Sequence, residues 1–105
     1  MRKCLEAYRD YTIAMRRTFN ISDYREKIAR QRELMSERAR LPEIEEMTRQ
    51  LDQLLTEGER DVLQEYYICA IPTWEQVAET LHYSISRVYQ LRQSAMEKIE
   101  RVQIC

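Results

Sequence analysis

Residues 73–99 read TWEQVAETLHYSISRVYQLRQSAMEKI, and this stretch decides the fold. Thr73 is suited to cap a short helix, with Gln76 at the reciprocal capping position three residues on. Val77, Ala78 and Leu81 follow on one face, and the small Ala78 permits a close crossing by a second helix. Tyr83 and Ser84 break the apolar periodicity. His82 falls in the turn between them and the first helix, where a left-handed backbone is often required. Ser84 caps a second, longer helix in which Val88, Leu91, Ala95, Ile99 and Val102 share one face. The pattern is a helix-turn-helix. Ser86, Arg87, Tyr89, Gln90 and Gln93 are left on the outer edge, where side chains of these types reach phosphates and base edges in the major groove.

Upstream, the chain is also helical. Leu5, Tyr8, Thr12, Met15 and Phe19 recur in steps of three and four, predicting a first helix over 2–19. Asp23 starts a second helix running to about Arg40, with Ile28, Leu34 or Met35, and Ala39 facing inward. Pro42 suits a first helical position, and Ile44, Met47, Leu51 and Leu54 continue a third helix. Thr56 and Glu59 form a capping box for a fourth, whose apolar face is Val62, Leu63, Tyr66 and Tyr67 and which ends before Pro72. The expected fold class is all-α: a helical N-terminal arm over 1–55, joined almost without linker to a helix-turn-helix head over 56–105. The seams of the arm serve either internal packing or a homo-oligomer formed through the N-terminal helices.

Composition agrees. The 105 residues are 44% hydrophobic and 33% charged, with a single glycine, Gly58, and two prolines, so hairpins and glycine-rich phosphate loops are excluded. The longest uncharged run, Tyr66 to Trp74, is too short to span a bilayer, so a soluble, cytoplasmic protein with no membrane partner is expected. Cys4, Cys69 and Cys105 are odd in number and widely spaced, which points to free thiols and away from a zinc site. His82 is the only histidine. No cofactor, metal ligand set or catalytic constellation is expected.

The net charge of −1 conceals a segregation. Residues 1–41 carry 11 Lys/Arg against 6 Asp/Glu, residues 42–81 carry 2 against 10, and residues 82–105 carry 4 against 2. Either the first two blocks neutralise each other in the fold, or the basic arm assists the last helix on DNA while the acidic block keeps away.

Leu55-Thr56-Glu57-Gly58-Glu59-Arg60-Asp61-Val62-Leu63, followed by Thr73–Ala78 and Ser84-Ile85-Ser86-Arg87-Val88-Tyr89-Gln90-Leu91, resembles region four of bacterial RNA polymerase sigma factors. The whole length, arm included, is similar to the small sigma-like transcriptional regulators of phages and prophages. The arm lacks the aromatic-rich pattern of sigma region two, so a complete sigma factor is not implied. The resemblance implies double-stranded DNA as partner. Thr73 and Arg87 would lie on the backbone, and Ser86 and Gln90 at base edges, with Ser84, Ile85, Tyr89 and Gln93 completing the surface. Ser86 stands where glutamate is usual, and Ile85 and Tyr89 where many sigma factors carry arginines. Those departures argue against the common minus-thirty-five hexamer. They suit an A/T-containing site, through thymine methyls for Ile85 and adenine for Gln90. The resemblance also implies RNA polymerase docking through Val62 and Tyr66, unless these are core. Trp74 packs on the head or lies at the DNA backbone.

The expected function is therefore non-enzymatic, sequence-specific transcription regulation. Competing readings are a helical interaction protein and a DNA-packaging protein like a terminase small subunit.

Overall fold

Asp23, Thr56, Thr73 and Ser84 each start a helix, because each side-chain oxygen accepts a backbone N–H that the first turn leaves without a partner. The computed structural model describes residues 1–102. Its helices are α1 (Arg2–Thr18), α2 (Tyr24–Arg38), α3 (Ile44–Leu54), α4 (Glu57–Leu63), α5 (Trp74–Leu81) and α6 (Ile85–Ile99); no strand occurs among the described residues. The all-α expectation holds. Pro42 lies outside α3, whose first residue is Ile44, so the start predicted there is two residues early.

The start of α1 is core. Met1, Cys4, Leu5 and Tyr8 bury against Met47, Leu51 and Leu55 of the α3 region, Leu63 and Tyr67, and Ala95 and Ile99 of α6. Arm and head thus share one apolar centre. A second cluster, Val62, Val77, Ala78 and Val88, lies at the crossing of α4, α5 and α6, and Ala78 there supplies the close approach that its small side chain suggested. The far half of α1 pairs with α2, where Leu34 is the buried residue. Gln31 donates to the Thr18 hydroxyl, which itself donates to the Met15 carbonyl, closing the hairpin at its tip. The projecting hairpin draws the molecule out to 44 × 29 × 17 Å with a radius of gyration of 15.2 Å. A compact chain of this length would have about 13 Å.

Two inward positions of the arm are corrected: Phe19 is 72% exposed and Ala39 is exposed, because α2 packs chiefly on α1 and no other described element covers its far side. Of the alternatives Leu34 and Met35, Leu34 is the inward one at 1% and Met35 is 60% exposed. The thiol expectation divides: Cys69 is free and exposed, whereas Cys4 is buried and disulfide-bonded. Cys105 lies outside the described residues.

Between α4 and the turn before α5 the backbone widens into a π-helical segment, Gln64–Ile68, which periodicity did not indicate. Cys69 N donates to Gln64 O and Ile71 N to Glu65 O, spans longer than those of an α-helix. Two residues past its end, Ala70 takes a left-handed φ of 54°. The exposed carbonyls of this end are taken by α1: Arg16 donates to Cys69 O and Ala70 O, and Arg9 to Ile71 O and Pro72 O.

Glu59 ties the head to α6. It closes the capping box with Thr56 and accepts from Lys98 Nζ at 2.7 Å, while 2% exposed. Burial alone would raise its carboxyl pKa, but Lys98, Ser94 and Thr56 outweigh it and hold the pKa at about 2, against 4.5 for the free group. The stabilisation is complete above the unfolded value and disappears as pH falls through the folded one. Glu59→Gln is expected to lower unfolding free energy by about 1–3 kcal/mol at neutral pH. It should also flatten the loss of stability between pH 4.5 and about 2, as read by urea melts across pH.

Candidate nucleic-acid interface

The turn between α5 and α6 sets the site. His82 takes φ 59° and ψ 37°, with Tyr83 N donating to Ala78 O and His82 N to Glu79 O, the two bonds of a Schellman motif. A non-glycine residue adopts this conformation at modest cost, and histidine is among the tolerated types. Ser84 Oγ then accepts from Arg87 N at 3.2 Å and starts α6 at once. Two short helices are held at a fixed crossing by Val77, Ala78 and Val88, all 2% exposed or less.

The outer edge of α6 is open. Ser84, Ile85, Ser86, Arg87, Tyr89, Gln90 and Gln93 are all exposed, and Thr73 is exposed at the head of α5. None of the arm helices covers Arg87 or Gln90. Thr73 Oγ1 accepts from Gln76 N as the cap, so the first amides of α5 point outward from an ordered turn. The Arg87 guanidinium lies 5.5 Å from the Tyr83 ring centroid, a cation–π contact that limits its swing. The Tyr89 hydroxyl donates to Glu75 Oε1 at 3.0 Å; the Glu75 backbone N–H first and then Tyr89 lower the Glu75 carboxyl pKa, and the shared hydrogen bond raises that of Tyr89. Glu75 is thus a negative charge at the start of α5, fixed by a residue of α6.

Val62 is a correction. It is fully buried in the second cluster, because it faces the α5–α6 crossing, and has no surface to offer a partner. Tyr66 is half-buried and engaged on both faces. Its ring stacks on Trp74 at 3.9 Å between centroids with 12° between planes, and Arg9 lies over it at 4.2 Å. Two groups so close to one ring centroid must occupy opposite faces. Arg92 lies over Trp74 at 4.8 Å. The result is a four-layer stack, Arg9–Tyr66–Trp74–Arg92, drawing on α1, the π-segment, α5 and α6. Trp74 therefore packs.

Arg92 was absent from the sequence-derived surface. It lines a groove with Tyr89 and Gln93 on the outer side of α6. The signal was available in its position, one helical turn beyond Tyr89, but its orientation depends on Trp74, which is distant in sequence. The charge question also resolves. Among the described residues, the ion pair joining the basic 1–41 block to the acidic 42–81 block is Arg38–Glu43 at 3.7 Å. The other ion pairs of the acidic block lie within it or reach α6: Arg60 with Asp52 and Asp61, Arg49 with Glu46, and Lys98 with Glu59. Arg9 and Arg16 are spent on backbone carbonyls and keep their charge.

No group of His, Cys, Asp and Glu among the described residues is placed to hold a metal ion. No described helix is long and apolar enough to cross a membrane.

Comparison with known families matches residues 53–101 to Sigma-70, region 4. No curated protein and no solved structure matches the chain. The match begins at the end of α3 and closes just after α6, so it takes in both apolar faces of the helix-turn-helix and leaves α1 and α2 outside it.

Trp74→Ala removes the centre of the stack. It is expected to lower unfolding free energy by about 2–4 kcal/mol, near the lower part of the range for large aromatic truncations because Trp74 is only half-buried. Hydrogen exchange should show protection lost in α1 and α5 together, since both rest on that ring.

Proposed function

With residues 53–101 forming a sigma region four-like helix-turn-helix, we propose that this chain is a non-enzymatic, sequence-specific transcription regulator that binds duplex DNA through α5 and α6. One observation carries the reading: the polar edge of α6 from Ser84 to Gln93 is exposed along its whole length, on a helix pair rigidly held from behind. Arg87 and the N-terminal turn of α5 at Thr73 hold phosphates. Gln90 and Ser86 face base edges, with Ile85, 48% exposed, free to contact a thymine methyl. The resemblance of the full length to small sigma-like regulators of phages and prophages supports the same assignment. Recruitment of RNA polymerase fits this class, but Val62 and Tyr66 are committed inside the head, so the docking surface must be sought elsewhere.

The arm supports a second property, association of two copies. Tyr24, 75% exposed, and Met35, 60% exposed, lie three helical turns apart on the same face of α2, with Ile28 between them and Ala39 beyond. In an antiparallel α2 pair, Tyr24 meets the partner's small Ala39 and Ile28 meets Met35, so large and small residues alternate. A dimer would also compensate for the few phosphate contacts of one head. Replacing Tyr24 and Met35 together with serine is expected to lower the sedimentation coefficient at micromolar concentration without changing the helical content.

Selection of bound sequences from random duplexes supplies the cognate site. Arg87→Ala should weaken binding to all duplexes and reduce the salt slope by about one. Gln90→Ala should cost roughly 1–3 kcal/mol at the cognate site and leave scrambled DNA unchanged. Equal losses on both would remove Gln90 from base reading.

A further inference from the structure

The first helix runs alongside the head toward the DNA-facing end. The Met1 amine donates to Val102 O at 2.6 Å and Arg2 pairs with Glu100 at 2.8 Å, so α1 begins where α6 finishes. Arg9 is level with the aromatic stack, and Arg16 reaches Cys69 O and Ala70 O in the loop that leads into α5. From Met1 to Arg17 the helix climbs about 24 Å at 1.5 Å per residue. Over that rise it passes from the rear of the head to the chain segment that delivers Thr73.

There, α1 and the loop enclose a depression of about 380 Å³. Arg9, Arg16, Arg17 and Asn20 line it from the arm and Pro72 from the loop, and no carboxylate contributes among the described residues. Arg16 spends two donors on carbonyls out of the five a guanidinium carries. The Arg9 Nε is buried without a hydrogen-bond partner. Arg17 is exposed, holds no ion pair among the described residues, and therefore has no structural task comparable to those of Arg9 and Arg16. Three arginines line a hollow with no carboxylate in its wall, and of these Arg17 has its guanidinium uncommitted.

We infer that this hollow takes a backbone phosphate of duplex DNA, next to the one at the α5 N-terminus, so that the arm forms part of the DNA interface. The inference rests on the DNA-binding reading above. Pro72 borders the hollow and Thr73 is the next residue, about 3.8 Å away between Cα atoms. Along one DNA strand, successive phosphates advance by about 3.4 Å of helix axis, so a strand held at Thr73 presents its neighbours to the adjoining surface. Arginine suits the role, since its planar fork bonds phosphate oxygens in pairs. The hollow also answers a chemical need, because the reading helix has few basic side chains of its own.

The test uses the full chain with its selected duplex and a scrambled duplex, titrated from about 50 to 200 mM salt. Arg17→Ala should weaken both equally and lower the slope of log K against log salt by about 0.9, the value for one phosphate. Arg17→Lys should restore most of that slope, and thermal melts should show both variants folded as the parent is. An unchanged slope in Arg17→Ala with a normally binding parent overturns this inference and leaves the reading helix intact. A parent that binds neither duplex overturns the DNA reading itself, and this assignment with it. Inorganic phosphate is the comparison ligand. A saturable shift of the Arg17 Nε–Hε signal with phosphate at constant ionic strength, combined with an unchanged slope on DNA, would reassign the hollow to a small anion.

Discussion

The stack of Arg9, Tyr66, Trp74 and Arg92 is the joint on which the molecule turns. Its two rings lie 3.9 Å apart and nearly parallel, and a guanidinium closes each outer face. Stacked aromatics contribute about 0.5–1.5 kcal/mol beyond their burial, and each cation over a ring a further 0.5–2 kcal/mol. What matters more is where the four residues come from. Each belongs to a different element, so one column of side chains fixes the arm, the π-segment, the start of α5 and the third turn of α6 relative to each other. Tyr67 meets both rings edge-on, at 5.0 and 6.2 Å, and carries the column into the main core.

A helix end leaves its last carbonyls unpaired, and here those of Cys69, Ala70, Ile71 and Pro72 turn toward α1. Arg9 and Arg16 satisfy them. The same arginines that would look like surface charge in a linear reading are therefore braces of the turn that positions Thr73. Because they bond carbonyls and not carboxylates, their positive charge survives beside the face that α5 presents. Of the acidic residues of 42–81, Glu46, Asp52 and Asp61 are meanwhile paired with Arg49 and Arg60 of the same block, and Glu59 with Lys98. On α5 itself Glu75 and Glu79 are exposed carboxylates, the first held in place by Tyr89.

Legibility varied with the range of the interaction. Thr56, Thr73 and Ser84 were readable as caps because a cap involves residues three apart, and His82 as a left-handed turn because its neighbours lack periodic apolar side chains. The outward edge of α6 followed from the same local count. Phe19 and Ala39 misled, since a three-four spacing shows that a face exists but not that anything covers it. Val62 misled in the opposite sense. As part of an apolar face it was a candidate for docking, and the crossing of α5 over α4 consumed it.

By itself the sequence determined that the chain is helical, where four of the helices start, and that residues 73–99 make a helix-turn-helix with a polar outer edge, because caps and periodicity act over a few residues. Only the tertiary structure decided that α1 enters the core of the head, that Arg92 stands on Trp74, and that Arg9, Arg16 and Arg17 gather beside Thr73. Those contacts join different elements, across more than 50 residues of chain for Arg9 and Arg16, and no local pattern of side chains encodes which distant surface a given arginine will meet.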